Sequence, residues 1–481
     1  MVLGVTPPSH PADREIHREG ILGLLRGRLE SGEVTSRALV EQALARITAH
    51  ADLNAVIALD AEAALKAADE VDSWRQQGEK LPELAGIPAL IKDVEDVEGF
   101  PTTYGSLIHR DAPAASADGS TAACLKRAGA VVLGKTNLPE FAMESFTANR
   151  LWGVTHNPWR HGTSPGGSSG GSAAALSAGV APIASGGDGG GSTRIPAALC
   201  GLVGLKPTSG IIGHGPARLP LDLSSSAPLA QTATDLELLL RLLAQPATGD
   251  PSCVYGLVDS ADADLLPGRV LTAPRLVGSS EVDGQVVSAF EAATAKMAEA
   301  FGRDAEPLGL PVLPESADDD WAAIYAAEDA WAAGWDELDR QRELVDARVL
   351  PWIDAGRNTS LADYLASRAR RCDHVRTLDE LLGDRSILLS PTLTIGSIPA
   401  DGVMPGLEGR SVPMSYFNTA ALNLTGHPAL SVPAGEIDGI PFGVQIIAPR
   451  GCDGWLLRLA KRWEAAAQWP LVAPGYEVFL P

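Results

Sequence analysis

No CxxC pair occurs in the 481 residues, and the five cysteines, Cys124, Cys200, Cys253, Cys372 and Cys452, lie far apart. That spacing excludes a zinc ribbon or a disulfide framework. An odd, scattered set reads instead as reduced thiols of a cytoplasmic protein. No run of about 18 apolar residues is present, so no transmembrane helix is expected. The first residues, MVLGVTPPSHPADREIH, lack a basic stretch followed by an apolar one, so no signal peptide is expected. Positive charge is also scarce: Lys and Arg total 38 against 60 Asp and Glu, a formal net charge of −22. Nucleic acid and anionic membrane are therefore poor partners, since phosphate binding needs clustered Lys and Arg.

What is present is an ordinary folded composition, 45% hydrophobic and 20% charged. The length is enough for a sizeable core. Residues 13–80 read as an N-terminal helical region. Leu22, Leu25 and Leu29 share one helical face, and Leu39, Leu44 and Ile47 another, behind Thr35 and Ser36 as N-caps. Ala61 to Trp74 reads as a third helix. From residue 84 the style changes. GIPALIK at 86–92 predicts a buried strand ending in Lys92, 120–128 a helix, and Ala130 to Leu133 another strand. Helices are expected at 235–245, 285–303 and 318–371, a surface excursion at 246–270, and strands at 386–395 and 428–448. Strands at both ends argue for one α/β domain over 1–481. It would be built on a single large mixed, twisted sheet covered by helices on both faces. Residues 84–240 would form its core, 246–385 a variable helical region, and 386–481 the strands and helix that complete the core.

Residues 162–215 are dense in glycine yet interleaved with the apolar segments Ala173 to Val180 and Leu199 to Leu205. Glycine in such a framework marks unusual backbone or close approach to a ligand. Two motif matches mislead. Gly129 to Thr136 fits the P-loop pattern, but the residues between its glycines are themselves the strand, and Asn137-Leu138-Pro139 follows where a helix should begin. Lys135 there reads as structural. Gly166 to Gly170 fits the GxSxG elbow, and His214, His374 and His427 lie downstream. An elbow needs an apolar strand just before it, whereas His161 to Pro165 is a loop. The histidines read as surface or satisfied core residues.

A third match is a constellation. Lys92 ends a strand within GIPALIKD, Ser168 sits in GGSSGGS, Ser192 in GGDGGGSTRIP, and CGLVGLKPT follows at Cys200 to Thr208. GKTNLPEFAM (Gly134 to Met143), Asn423 to Gly435 and Pro441 to Ile447 extend the pattern. On these segments the chain resembles the amidase signature family of serine hydrolases, which use a Ser-cisSer-Lys triad. The resemblance implies the amidase signature fold and a stand-alone bacterial-type amidase needing no metal and no organic cofactor.

The same resemblance implies roles. Ser192 would be the nucleophile, and the N–H groups of Gly189, Gly190, Gly191 and Ser192 an oxyanion hole. Without side chains, backbone N–H groups converge on a small anion. Lys92 would be the general base, since burial in an apolar strand brings its amine down from about 10.4 toward neutrality. Asp93 would oppose that if it pointed inward, so it is expected to turn elsewhere. Ser168, after a cis peptide bond, would relay the proton. Asp188, Arg194 and Ser169 would support the site from behind.

Gly187 and Gly189 depart from the side chains that the family commonly carries there. Drift in a tolerant loop explains this, as does a wider space beside the oxyanion hole. Trp321, Tyr325 and Trp335 fall on one face of a predicted helix. In this family the region after the signature shapes the substrate pocket, and an aromatic wall would favour aryl groups. Phe141, Met143 and Tyr416 are further pocket candidates. The expected substrate is a small-molecule amide, carbamate (urethane) or ester, and a homodimer is the assembly held open. Two alternatives compete: a glutaminase subunit of a tRNA-dependent amidotransferase, and a non-catalytic binding protein with this fold. Tyr416 stands where that glutaminase typically carries an Asp ahead of its Asn-Leu-Ala-Gly segment, and tyrosine cannot supply the charge.

Overall fold

The computed structural model describes residues 11–215, 222–254, 266–309 and 311–481. The leader reading of the first residues and the middle of the predicted 246–270 excursion fall outside these.

Eleven strands carry the fold. They are β1 (Val56–Leu59), β2 (Pro88–Lys92), β3 (Val131–Thr136), β4 (Ile183–Ala184), β5 (Val203–Lys206), β6 (Leu229–Ala230), β7 (Arg269–Thr272), β8 (Ala305–Pro307), β9 (Ser386–Pro391), β10 (Ala429–Ile437) and β11 (Ile440–Ile447). Four pair in the order β1-β3-β2-β4, and seven in the order β6-β5-β10-β11-β9-β7-β8. β2 runs parallel to β3 and β4, and β7 parallel to β8 and β9, while the remaining pairs are antiparallel. A short antiparallel pair, Gly187–Asp188 with Ser225–Ser226, stitches β4 to β6, and Ala227 N–H donates to the Gly186 carbonyl at 3.1 Å. The result is a large mixed α/β sheet flanked by helices. Asp438 and Gly439, both with positive φ, make the tight β10–β11 turn, where this pair of residues costs least.

Local chemistry explains most boundaries. Thr35 Oγ1 accepts from Ala38 N–H and starts the Ser36–Ala49 helix, as its N-cap position predicts. The Ile21–Ser31 helix buries Ile21, Leu22, Leu25 and Leu29 and stops at Gly32 in the left-handed region. The Gly170–Ser177 helix is buried on every face. Its glycines are required by contact: a Cβ at Gly170 would lie 2.1 Å from Thr147 Oγ1, and one at Gly171 2.5 Å from the Asn137 backbone.

Three expectations are corrected. The run predicted at 318–371 is four helices, Ser316–Ala333, Trp335–Arg340, Leu350–Asn358 and Leu361–Leu382, because Gly334 (φ 82°) ends the first. Trp335 therefore opens a separate helix. The ring that joins Trp321 and Tyr325 is Trp352, at centroid distances of 5.5 and 6.4 Å. The strand β1 lies within the region expected to be helical. All five cysteines are free thiols, and Cys372 is exposed. Among the described residues no helix is long and apolar enough to cross a membrane.

Candidate active site

β2 delivers Lys92 into the interior, with its side chain 3% exposed. Its Nζ donates to Ser168 Oγ at 2.7 Å and to Ser169 Oγ at 3.0 Å. Both serines lie just before the buried Gly170–Ser177 helix, and the Gly167–Ser168 peptide bond is cis. Burial brings the Lys92 amine down to about 7, against the opposing pull of the Asp188 carboxylate. Asp93 turns away: its carboxylate pairs with Lys135 Nζ at 3.0 Å and takes hydrogen bonds from Thr103. Lys135 also donates to the Glu95 carbonyl at 2.6 Å, so the lysine of the P-loop look-alike is a fully buried structural strut.

Ser192 adjoins this pair. Its carbonyl accepts from Ser169 N–H at 3.0 Å, which ties the two serine segments together. Lys92, Ser168 and Ser169 are buried, whereas Ser192 and Gly190 are partly exposed. Asp188 and Arg194 anchor the loop from beneath, both fully buried, and not as a surface pair. Arg194 Nε and Nη2 grip the two carboxylate oxygens at 2.9 and 2.8 Å. The remaining N–H groups reach Asn423 Oδ1, Gln445 Oε1 and the Thr419 carbonyl, which uses all five donors of the guanidinium. Burial pushes the Asp188 carboxyl up, but Arg194 and Asn423 outweigh it and hold the group well below the usual carboxylate range.

The glycine loop differs from expectation in two ways. Gly191 N–H is directed at Asp188 Oδ1, 2.8 Å away, so it serves the loop rather than an anion. The N–H groups of Gly189, Gly190 and Ser192 have no acceptor among the described residues. Nor does Gly189 open a wider space. A Cβ there would meet Tyr325 Oη at 2.5 Å, and one at Gly190 would meet Trp321 Cζ2 at 2.5 Å. The missing side chains make room for aromatic rings, not for substrate. Gly187 faces ordinary contact distances.

Phe141, Met143 and Tyr416 take no part in the hydrogen bonds that join Lys92, Ser168, Ser169, Asp188 and Arg194. Phe141 and Met143 pack against Leu338, Val345, Val349 and Ile353, and Phe141 and Ala142 adopt positive φ of 52° and 60°. Tyr416 packs against the cluster of Phe146, Ile195 and Phe417. The histidines of the elbow reading are engaged elsewhere: His374 with Asp320, His427 with Asp379, and His214 with the Ser224 carbonyl. Sequence reasoning missed Trp321 Nε1 on the Gly189 carbonyl (2.8 Å), Thr419 on the Gly190 carbonyl (2.6 Å) and Gln445 on Arg194. The one available signal was Gln445, a polar residue inside the apolar strand β11, where an unpaired amide would be costly.

The family described as Amidase matches residues 38–457. The chain belongs to the amidase family. It is 34% identical to an acylamidase of Rhodococcus erythropolis over 91% of this chain and 94% of that one. It is 33% identical to one component of the glutamyl-tRNA(Gln) amidotransferase of Chromohalobacter salexigens, over 96% and 99%. Among solved structures, a bacterial aryl acylamidase of the amidase signature family superposes with a TM-score of 0.83 at 26% identity, covering 93% of this chain and 96% of that one. Family membership supports an amide hydrolase.

Proposed function

We propose that this amidase acts alone, through an acyl-enzyme on Ser192, with Ser168 and Lys92 as its proton path. The observation that carries the reading is the contrast in exposure. Three of the four polar side chains are sealed in the interior, and Ser192 is the hydroxyl that substrate can reach. Ser192 Oγ attacks the amide carbon as its proton passes to Ser168, whose own proton goes to neutral Lys92. The C–N bond then breaks, and the amine leaves with the proton returned along the same path. Water attacks the ester, releasing the acid and restoring Ser192. The oxyanion rests on the N–H groups of Gly189, Gly190 and Ser192. Aryl amides and aryl carbamates are the preferred substrates, with aryl esters as easier electrophiles.

The test is a panel of aryl amides, carbamates and esters offered to the purified single chain, with the acyl group trapped and mapped by mass spectrometry. Turnover with the acyl mass on Ser192 is expected. A silent chain that gains glutaminase activity only with partner proteins would sink the stand-alone reading in favour of the amidotransferase one. Silence under both conditions would leave a binding protein.

The base makes a pH prediction. Only neutral Lys92 accepts a proton, so kcat/KM is expected to fall as pH drops through about 7. Burial also raises the Glu144 carboxyl to about 7, so the limb should be measured in Glu144→Gln as well. Its survival there excludes Glu144 as the source, and its disappearance would remove the assignment to Lys92.

A further inference from the structure

Every carbonyl of the segment 188–192 is held. The Asp188 carbonyl accepts from Asn423 Nδ2 (2.9 Å), that of Gly189 from Trp321 Nε1 (2.8 Å) and that of Gly190 from Thr419 Oγ1 (2.6 Å). The Gly191 carbonyl accepts from Ile195 N–H (2.8 Å), and that of Ser192 from Ser169 N–H (3.0 Å). These peptide bonds are trans, and in a planar trans peptide the C=O of one residue and the N–H of the next point in opposite directions. Fixing each carbonyl therefore aims the following N–H. The carbonyl held by Trp321 belongs to the peptide whose other end is Gly190 N–H, and Gly190 is partly exposed beside Ser192.

On the acyl-enzyme reading above, we infer that Trp321 is a positioning residue for the oxyanion: its indole N–H fixes the Gly189–Gly190 peptide so that Gly190 N–H faces the reacting carbonyl. Trp321 Nε1 donates to the Gly189 carbonyl and makes no hydrogen bond to Ser168, Ser169 or Ser192 among the described residues. It is 5% exposed, stacked on Tyr325 at 5.1 Å, and its ring occupies the volume that a Cβ at Gly190 would need. Of the five holders, Trp321 is the one from the Ser316–Ala333 helix. The other side-chain donors, Thr419 and Asn423, come from the C-terminal part of the core. Two structural units thus grip neighbouring peptides of one loop, and the helix grips one of the three peptides whose N–H is open.

The mechanism sets a kinetic signature. An oxyanion donor acts on charge that exists only in the transition state, so mis-aiming it lowers kcat and leaves ground-state binding alone. Trp321→Phe keeps an aromatic ring and removes the N–H. The expected result is a fall in kcat of about 10–100-fold with KM within about twofold. An aryl boronic acid, which forms a tetrahedral adduct on a serine oxygen, should lose affinity by the same factor, while inhibition by the carboxylate product should not change. Trp321→benzothienylalanine, which replaces the N–H by sulfur in a ring of the same shape, repeats the test if the phenylalanine variant folds poorly. Unchanged kcat in a folded variant overturns the inference. So does a rise in KM with unaltered boronate affinity, which would mean that the ring only shapes a pocket. A wild type that neither turns over nor binds boronate overturns the acyl-enzyme reading itself. Normal wild-type acylation with an indifferent Trp321 variant overturns this inference alone.

Discussion

Ser192→Ala is expected to lower kcat by about 10⁴–10⁶-fold, the scale on which loss of a serine nucleophile disables a hydrolase whose binding site stays intact. The residual rate should come from the backbone N–H groups of positions 189, 190 and 192, all of which survive the substitution. The fold should survive, because the Ser192 carbonyl, and not its hydroxyl, makes the bond to Ser169. Ser168→Ala removes the bridge beside Lys92 Nζ, 2.7 Å away, and should cost about 10²–10⁴-fold, the range for a lost proton-transfer group. Pre-steady-state acylation followed by intact mass measures both. Wild-type acylation by Ser192→Ala, or an acyl group found on Ser168 in the native chain, would require a different nucleophile.

Arg194→Met is expected to destabilise the protein by about 3–5 kcal/mol, the cost of stranding a buried partner charge. The Asp188 carboxylate would keep its interior position without the guanidinium that grips both its oxygens, and Gln445 and the Thr419 carbonyl would each lose a donor. Against a total stability of about 5–15 kcal/mol, that is a large fraction. Urea unfolding followed by tryptophan fluorescence should show the shift in midpoint. The double variant Asp188→Asn with Arg194→Met should recover part of the loss, since it removes the stranded charge. If Arg194→Met alone leaves the midpoint unchanged, the pair does not hold the loop.

The site residues that are legible in the sequence share one property: each stands in a contiguous motif. Lys92 at a strand end, the Ser168–Ser169 pair and the stretch from Asp188 to Arg194 all announce themselves within a few residues. What is not legible is what faces them. Gly189 reads equally as drift or as open space, because one chain segment says nothing about Tyr325, which arrives from a helix far along the sequence and fills that volume. Gly191 reads as an anion donor because its N–H is chemically like its neighbours' until Asp188 is seen to claim it. The long helical run hides a break at Gly334, a residue that costs a helix about 1 kcal/mol and that tertiary context turns into an end. β1 escapes notice because its four residues are only partly buried or exposed and sit at a sheet edge. The order of the strands is legible only as far as a mixed sheet. Pairing between strands from opposite ends of the chain is set by packing, not by local pattern.

The holders of the glycine loop also fix when the protein becomes dangerous to amides. Ser192 and its neighbours are synthesised early, yet Gln445, which completes the shell of Arg194, lies 251 residues further along. At about 5–20 residues per second, a ribosome spends many seconds between the two. Throughout that interval the nascent chain carries its whole motif without the full set of struts, since Trp321, Thr419 and Asn423 are made part-way through it and Gln445 last. The complete set of struts is thus a property of the finished chain, assembled only once its last strands are made.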